Sequence, residues 1–206
     1  MISSLFGGAA PRRQIDSAHA AGITLTQQDL SDLSGFVSAG AFVDLAGGRL
    51  EELDPAWVAA QTRSESSFMP RARSGADARG LMQLLPGTGM LAAKRIGVPW
   101  TGAESLYDPD TNLQLGTGYL RQMLDRYDNQ AYLAIAAYNA GPAPVDRWRA
   151  ARGQLEPDFF IESIPWKETR EYVARVLAFS VVYDWRLTGR AAPLSDRMLG
   201  RLASAD

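Results

Sequence analysis

The stretch QAYLAIAAYNAGP, residues 130–142, decides the fold of this chain. From Gln130 to Tyr138 it is almost wholly apolar, which predicts a helix buried on most of its sides. The run Asn139-Ala140-Gly141-Pro142 then predicts its end, because glycine tolerates left-handed backbone geometry and proline cannot continue a helix. We therefore expect a helix that lies in the core and stops abruptly.

The segments around this helix also carry helix signals, beginning near residues 54, 88, 108 and 167. Asp54-Pro55 and Asp108-Pro109 each place a side-chain acceptor before a proline in the first turn, which is typical of a helix start. Pro86-Gly87 is interpreted as a break, after which Thr88 caps a helix that Gly97 ends. No segment shows a convincing alternation with a period of two, so the expected class is all-α.

The chain divides into three zones. With 206 residues and 46% hydrophobic side chains it is long enough to bury a real core, so we expect one domain with a short extension. Residues 1–48 are predicted to form an N-terminal helical extension, residues 49–190 carry every recognisable motif, and residues 191–206 are a polar tail. The first residues, 1–11, have no preceding basic region, so they do not read as a secretory signal.

Composition excludes several classes of function. The 21 basic and 23 acidic side chains leave a net charge of -2 and no basic block, which argues against nucleic-acid binding. There is no cysteine and a single histidine, His19, so disulfides and an ordinary zinc site are not expected. No run approaches the roughly 20 apolar residues of a membrane span, so no integral membrane segment is expected.

Four short runs in a fixed order lie within the middle zone: Glu65-Ser66-Ser67-Phe68, Gly80-Leu81-Met82-Gln83, Ala137-Tyr138-Asn139-Ala140-Gly141-Pro142, and Glu162-Ser163-Ile164-Pro165 with Glu168-Thr169-Arg170-Glu171-Tyr172. Each alone is a weak signal, but their order and separations along about half the chain are specific. Together they resemble the catalytic domain of the soluble lytic murein transglycosylases, a lysozyme-like family that cleaves peptidoglycan. The resemblance implies a lysozyme-like helical domain, no cofactor, and a place of action in the periplasm or cell envelope.

Glu65 is the residue on which this chemistry depends. Cleaving a glycosidic bond needs a proton delivered to the leaving oxygen. The resemblance implies that one Glu supplies that proton and then, once ionised, takes a proton from the C6 hydroxyl of N-acetylmuramic acid, which closes a 1,6-anhydro ring without water. Acid work near neutral pH requires a raised pKa, which apolar neighbours of Glu65 could provide.

The resemblance also assigns substrate-binding residues: Ser74, Met82, Gln83, Tyr138 and Glu162. Gln83 both donates and accepts hydrogen bonds, which suits acetamido and hydroxyl groups. Gly80 offers backbone without a side chain, where a sugar could approach closely, although a tight turn explains it equally well. We expect the protein to be a monomer and its partners to be the glycan strands of peptidoglycan.

Two other functions remain open. A hydrolase on the same scaffold would need a second carboxylate to hold a water, and Asp77 and Glu162 are its candidates. A cell-wall-binding module with a vestigial site would need no Glu65 chemistry at all. Arg79, which stands before Gly80 where the family commonly has a small residue, could narrow the cleft or contact a peptide carboxylate.

Overall fold

The structure of the chain is a computed structural model that describes residues 53–201. The predicted extension over residues 1–48, including His19, and the last five residues of the tail lie outside the described residues. Within the described range the helices are α1 Pro55–Ser66, α2 Pro86–Ile96, α3 Pro109–Arg126, α4 Ala131–Ala140, α5 Pro142–Arg152, α6 Pro157–Glu162, α7 Lys167–Thr188 and α8 Leu194–Met198, with a 3₁₀ helix Ala103–Tyr107 before α3.

The all-α class predicted from the sequence is confirmed for the part of the chain that is described. Residues 53–201 contain no strand, and their β-type pairing is limited to two isolated bridges, Arg73 with Arg79 and Arg79 with Leu84. None of the helices in this range combines the length and the apolar character needed to cross a membrane.

The helix starts follow the local chemistry of the sequence. Asp54 accepts a hydrogen bond from the backbone N–H of Ala56 at 3.0 Å, and Asp108 accepts one from Thr111 at 2.8 Å, so both predicted caps are confirmed. The start predicted at Thr88 is wrong, because α2 already begins at Pro86. Proline fits a first helical position, since its missing N–H would have no partner there.

Helix α4 lies at the centre of the fold, as its apolar sequence predicts. All residues from 131 to 137 are buried, and the helix packs against α3, α5 and α7. Its end is set by Gly141, whose φ of 80° only glycine adopts easily, and Pro142 then starts α5 directly. Asn139 is still helical, and its side-chain oxygen accepts a hydrogen bond from Thr169 of α7 at 2.7 Å. The predicted stop therefore lies inside the run, at its third residue.

Helix α1 is held from two sides. It packs most extensively against the long helix α7, which ends at Gly189 in a left-handed conformation. At its start, the guanidinium of Arg197 in α8 forms ion pairs with Asp54 and with Asp184 of α7, and Arg197 is only 4% exposed. An ion pair withdrawn from water in this way fixes geometry strongly, because separating it would leave a buried charge unpaired. These contacts hold helix α1 in place and thereby fix the position of its C-terminal end.

Candidate active site

Glu65 lies in the last turn of α1, at the C-terminal end that these contacts hold in place. Directly after it the backbone turns sharply, with Ser67 at φ 50° and Phe68 at φ 61°, both in the left-handed region that non-glycine residues avoid. Ser66 donates a hydrogen bond to the carbonyl of Leu81 at 2.7 Å. The turn therefore ties the end of α1 to the Gly80-Leu81-Met82-Gln83 run and brings two of the four runs together.

Helix α7 supplies the direct partner of Glu65. The hydroxyl of Tyr172 donates a hydrogen bond to Oε1 of Glu65. The oxygen of Tyr172 in turn accepts a hydrogen bond from Nε2 of Gln61 at 2.7 Å. Gln61 lies four residues before Glu65 on α1 and therefore on the same helix face. The side chains of Gln61, Tyr172 and Glu65 form a continuous chain of hydrogen bonds between α1 and α7.

Burial changes the acidity of the carboxyl group. Partial removal from water raises the pKa of Glu65 from 4.5 to about 7, while the hydrogen bond from Tyr172 and the positive charge of Arg175 act in the opposite direction. A carboxyl with this pKa is partly protonated at neutral pH, so it can donate a proton and later accept one. The geometry therefore meets the requirement for acid chemistry that the sequence set out.

Tyr138 of α4 stands near the same carboxyl. Its hydroxyl donates to the backbone oxygen of Met82 at 2.9 Å, and its ring packs on Tyr119 with 5.2 Å between ring centroids. Burial, and then the nearby charge of Glu65, raise the pKa of both Tyr138 and Tyr172 well above 10, so both phenols keep their protons at neutral pH. Two phenols thus flank one carboxyl.

The loop that carries Gln83 is braced by its own polar groups. Nε2 of Gln83 donates to the carbonyls of Gly80 at 2.9 Å and of Ala72 at 3.1 Å. Its backbone has a φ of 48°, a strained value for this residue type. Because its N–H groups are used inside the loop, the group that Gln83 can offer a ligand is the carbonyl oxygen of its side chain.

The structure corrects the expectation for Met82. Its side chain is 0% exposed and packs against α3 at Gly116, where an added Cβ would lie 2.3 Å from the sulfur. It therefore belongs to the core and does not line an open cleft. Its backbone N–H donates to Asn112 at 2.7 Å and its carbonyl holds Tyr138, so Met82 acts on the site through its main chain. The apolar side chain of this segment that reaches the surface is Leu85, 44% exposed.

Gly80 also has a different role from the close sugar approach considered above. It is buried with a φ of 78°, and a Cβ there would lie 2.0 Å from the carbonyl oxygen of Leu106 and 2.3 Å from the amide nitrogen of Asn112. The backbone at Gly80 is thus pressed against protein. Glycine is required here by packing, and this favours the tight-turn interpretation.

No hydrogen bond joins Ser74 or Glu162 to the carboxyl of Glu65 within residues 53–201. Ser74 is exposed, and its hydroxyl accepts a hydrogen bond from the backbone N–H of Ala78 within its own loop. Glu162 is exposed at the end of α6, and no ion pair or hydrogen bond of its side chain occurs within residues 53–201. The structure thus brings Glu65, Gln83, Tyr138 and the main chain of Met82 into one region, and the roles of Ser74 and Glu162 stay predictions.

The side chain of Arg79 forms ion pairs within the fold. Its guanidinium pairs with Asp77 at 3.0 Å and with Glu104 at 2.6 Å, and only 10% of its side chain is exposed. It therefore joins the loop to the 3₁₀ helix, which removes the contact with a peptide carboxylate that the sequence left open. The carboxyl of Asp77 is held in this ion pair, and the hydrogen bond from Arg79 lowers its pKa.

The sequence interpretation missed three site-forming residues, namely Gln61, Asn112 and Tyr172. Tyr172 stands in the fourth run, but the sequence predicts no role for it at the carboxyl. Asn112 is 0% exposed and bonds Met82, Arg79 and Leu106 together, so it holds the loop in place. A signal for Gln61 was present, because a polar residue four positions before a candidate acid shares its helix face.

Known protein families match the chain over the region that carries the four runs. The family described as transglycosylase SLT domain matches residues 46–161, more than half of the chain, and the one described as soluble lytic transglycosylase helical domain matches residues 163–191. The soluble lytic murein transglycosylase of Salmonella typhimurium is 37% identical over 150 residues, which cover 72% of this chain and 23% of that protein.

Solved structures share the fold. The 70-kDa soluble lytic transglycosylase of Escherichia coli matches with a TM-score of 0.69 at 35% identity, over 71% of this chain and 24% of that one. An inactive Glu-to-Gln mutant of lytic transglycosylase Slt from Pseudomonas aeruginosa matches with a TM-score of 0.65 at 33% identity, over 92% of this chain and 26% of that one. The lysozyme-like fold implied by the four runs is confirmed, and the chain spans about a quarter of the length of these proteins.

Proposed function

Because the chain belongs to the transglycosylase SLT domain family, we propose that it cleaves the β-1,4 bond between N-acetylmuramic acid and N-acetylglucosamine in peptidoglycan without consuming water. The observation that carries the proposal is one half-buried carboxyl, Glu65, whose pKa is raised to about 7, which Tyr172 hydrogen-bonds and which lies near Tyr138. Murein is a polymer of the bacterial cell envelope, so we place the reaction there, in the periplasm where that compartment exists.

In the first step Glu65 acts as the acid. Its proton passes to the bridging oxygen, the bond between that oxygen and C1 of N-acetylmuramic acid breaks, and the N-acetylglucosamine side leaves with a new hydroxyl. Positive charge develops at C1, next to the carboxylate that has just formed. The substrate's own acetamido group stabilises that charge, as in other substrate-assisted glycosidases.

In the second step the same carboxylate acts as the base. It takes the proton of the C6 hydroxyl while that oxygen bonds to C1, which gives the 1,6-anhydro ring and returns Glu65 to its protonated form. The atoms balance without water, so one carboxyl is sufficient. A pKa near neutrality suits both halves of this cycle.

The arrangement of the other acids supports this reaction over hydrolysis. A hydrolase needs a second carboxylate that holds a water across the sugar ring. Asp77 is engaged with Arg73 and Arg79, and Glu162 lies exposed at the end of α6. We propose that Ser74 and Glu162, both exposed, also contact the substrate. Gln83 would offer its side-chain oxygen to a hydroxyl or acetamido N–H, and Tyr138 would border the sugar beside Glu65.

The products distinguish the two reactions. We expect digestion of purified sacculi to release muropeptides that end in the anhydro sugar, each lighter by one water than the product of hydrolysis. Digestion in water enriched in heavy oxygen should leave these ends unlabelled. Reducing ends that carry the heavy isotope would show a hydrolase and overturn the proposal.

A further inference from the structure

Gln61 is a buried polar residue that the mechanism above does not use. It lies in the middle of α1 with its side chain 0% exposed, and its amide N–H donates to the oxygen of Tyr172 at 2.7 Å. Its other polar atom, Oε1, has no hydrogen-bond partner in the part of the chain that is described. Leaving a buried acceptor unpaired lowers stability, so packing alone would favour an apolar side chain of the same shape.

The hydrogen bond from Gln61 fixes the direction of the next one. A tyrosine hydroxyl has a single proton, and an amide N–H can only donate. While Gln61 donates to the oxygen of Tyr172, the proton of Tyr172 must point elsewhere, and the acceptor it meets is Oε1 of Glu65. Both hydrogen bonds are therefore donated in the same direction, from Gln61 to Tyr172 and from Tyr172 to Glu65.

The two oxygens of Glu65 are consequently different. Oε1 already accepts the proton of Tyr172, whereas Oε2 accepts no hydrogen bond from any residue in the range 53–201. Oε2 is not among the buried polar atoms that lack a partner, so it is accessible to solvent. Tyr138 does not compete for it, because its proton is directed to the carbonyl of Met82.

We propose that Gln61 is a positioning residue that acts through Tyr172 to reserve Oε1 of Glu65 as an acceptor, so that the transferable proton resides on Oε2. The inference rests on the proposed function and identifies which oxygen of Glu65 gives and takes the proton. In the first step the O–H bond at Oε2 breaks as the proton passes to the bridging oxygen, and in the second Oε2 takes the proton of the C6 hydroxyl. Throughout, Oε1 stays bound to Tyr172, which stabilises the negative charge between the two steps.

The acidity of Glu65 gives the proposal a measurable consequence. The hydrogen bond from Tyr172 lowers the pKa of Glu65 against the larger effect of burial. A donor to the oxygen of Tyr172 strengthens the donation from its own hydroxyl, because linked hydrogen bonds polarise one another. Without Gln61 the pKa of Glu65 should therefore rise, and the alkaline limb of the activity profile should move to higher pH.

The test is Gln61→Met, which keeps the length of the side chain but has no N–H group. We expect kcat on purified glycan strands to fall roughly tenfold with KM little changed, and the alkaline limb to move to higher pH. The melting temperature should stay the same or rise, because the unpaired oxygen is removed. Thr62→Val is the matched control, since Thr62 is also 0% exposed on α1 but its hydroxyl bonds only the carbonyl of Val58.

A second comparison shows whether Gln61 acts through Tyr172. In a Tyr172→Phe background, Gln61→Met should cause little further loss, because the group through which it acts is absent. An equal loss in both backgrounds, or an unchanged kcat and pH profile in the single variant, would overturn the inference. So would unfolding of both Gln61→Met and Gln61→Leu, because Gln61 would then be required for the fold.

Failure of this inference and failure of the proposed function give different results. If the wild type forms no anhydro ends, the proposed function fails irrespective of Gln61. If the wild type forms them and the Gln61→Met profile matches that of the wild type, only the role of Gln61 is lost.

Discussion

Glu65→Gln is expected to reduce cleavage of peptidoglycan by at least roughly a thousandfold, because the amide can neither deliver the proton nor take one back. The side chain keeps its shape, and its oxygen can still accept the hydrogen bond from Tyr172. Binding to sacculi should therefore survive. Release of anhydro muropeptides over time, with pull-down by insoluble sacculi, measures both properties.

The same substitution should make the protein more stable at high pH. The pKa of Glu65 in the folded chain is about 7 against an ordinary value of 4.5, so the folded state favours the protonated form. The stability that Glu65 contributes is complete below about pH 4.5 and is lost as the pH rises through about 7. The neutral amide has no such loss, so at pH 8 Glu65→Gln should gain roughly 2–3 kcal/mol in free energy of unfolding.

Denaturant titrations at pH 5 and pH 8 separate this gain from a general effect of the substitution, because the gain should be several-fold smaller at the lower pH. Glu171→Gln on α7 is the control, since Glu171 is exposed and its pairing with Lys167 at 3.6 Å lies at the surface. It should change neither activity nor stability by much. Equal trace turnover by wild type and Glu65→Gln, with both still binding sacculi, would indicate a wall-binding module without catalysis.

Gly80→Ala should have the largest effect on stability of any small substitution near the site. The new Cβ would meet the carbonyl oxygen of Leu106 at 2.0 Å, and the backbone there has a φ of 78°. A left-handed alanine and a forced displacement of packed backbone together should lower the free energy of unfolding by roughly 2–5 kcal/mol. Activity should fall with it, because the loop holding Gln83 and the carbonyl of Met82 must move.

Gly75→Ala provides the comparison within the same loop. Nothing lies within 4 Å of a Cβ built at Gly75, and the residue is exposed. Thermal melting and anhydro-product assays of the two variants should therefore differ sharply, with Gly75→Ala close to wild type. Similar behaviour of the two variants would show that Gly80 is not tightly packed.

Local rules were enough to predict where several helices begin and end. Asp54 and Asp108 cap their helices as the sequence indicated, and Gly97 and Gly189 end theirs in left-handed conformations. The error at Thr88 arose from treating proline as a break when it also fits a first helical position. Helices α5 and α6 were not predicted, because they are short and α5 starts where a stop signal was expected.

The site itself depends on contacts between distant parts of the chain. Tyr172 lies 107 residues after Glu65, and no local pattern could distinguish its bonded hydroxyl from that of a core tyrosine. Met82 shows the opposite error, since a residue transferred from the family pattern proved to be buried against Gly116. The identity of the acid could be proposed from sequence, whereas the groups that set its acidity required the fold.

Titration of the Glu65 carboxyl by NMR of its side-chain carbon, assigned with Glu65→Gln, tests the central claim most directly. A single carboxyl that serves as acid and then as base near neutral pH should titrate with a midpoint of about 7. A midpoint near 4.5, the ordinary value, would mean that the carboxyl is already ionised at neutral pH, and Glu65 could not be the acid.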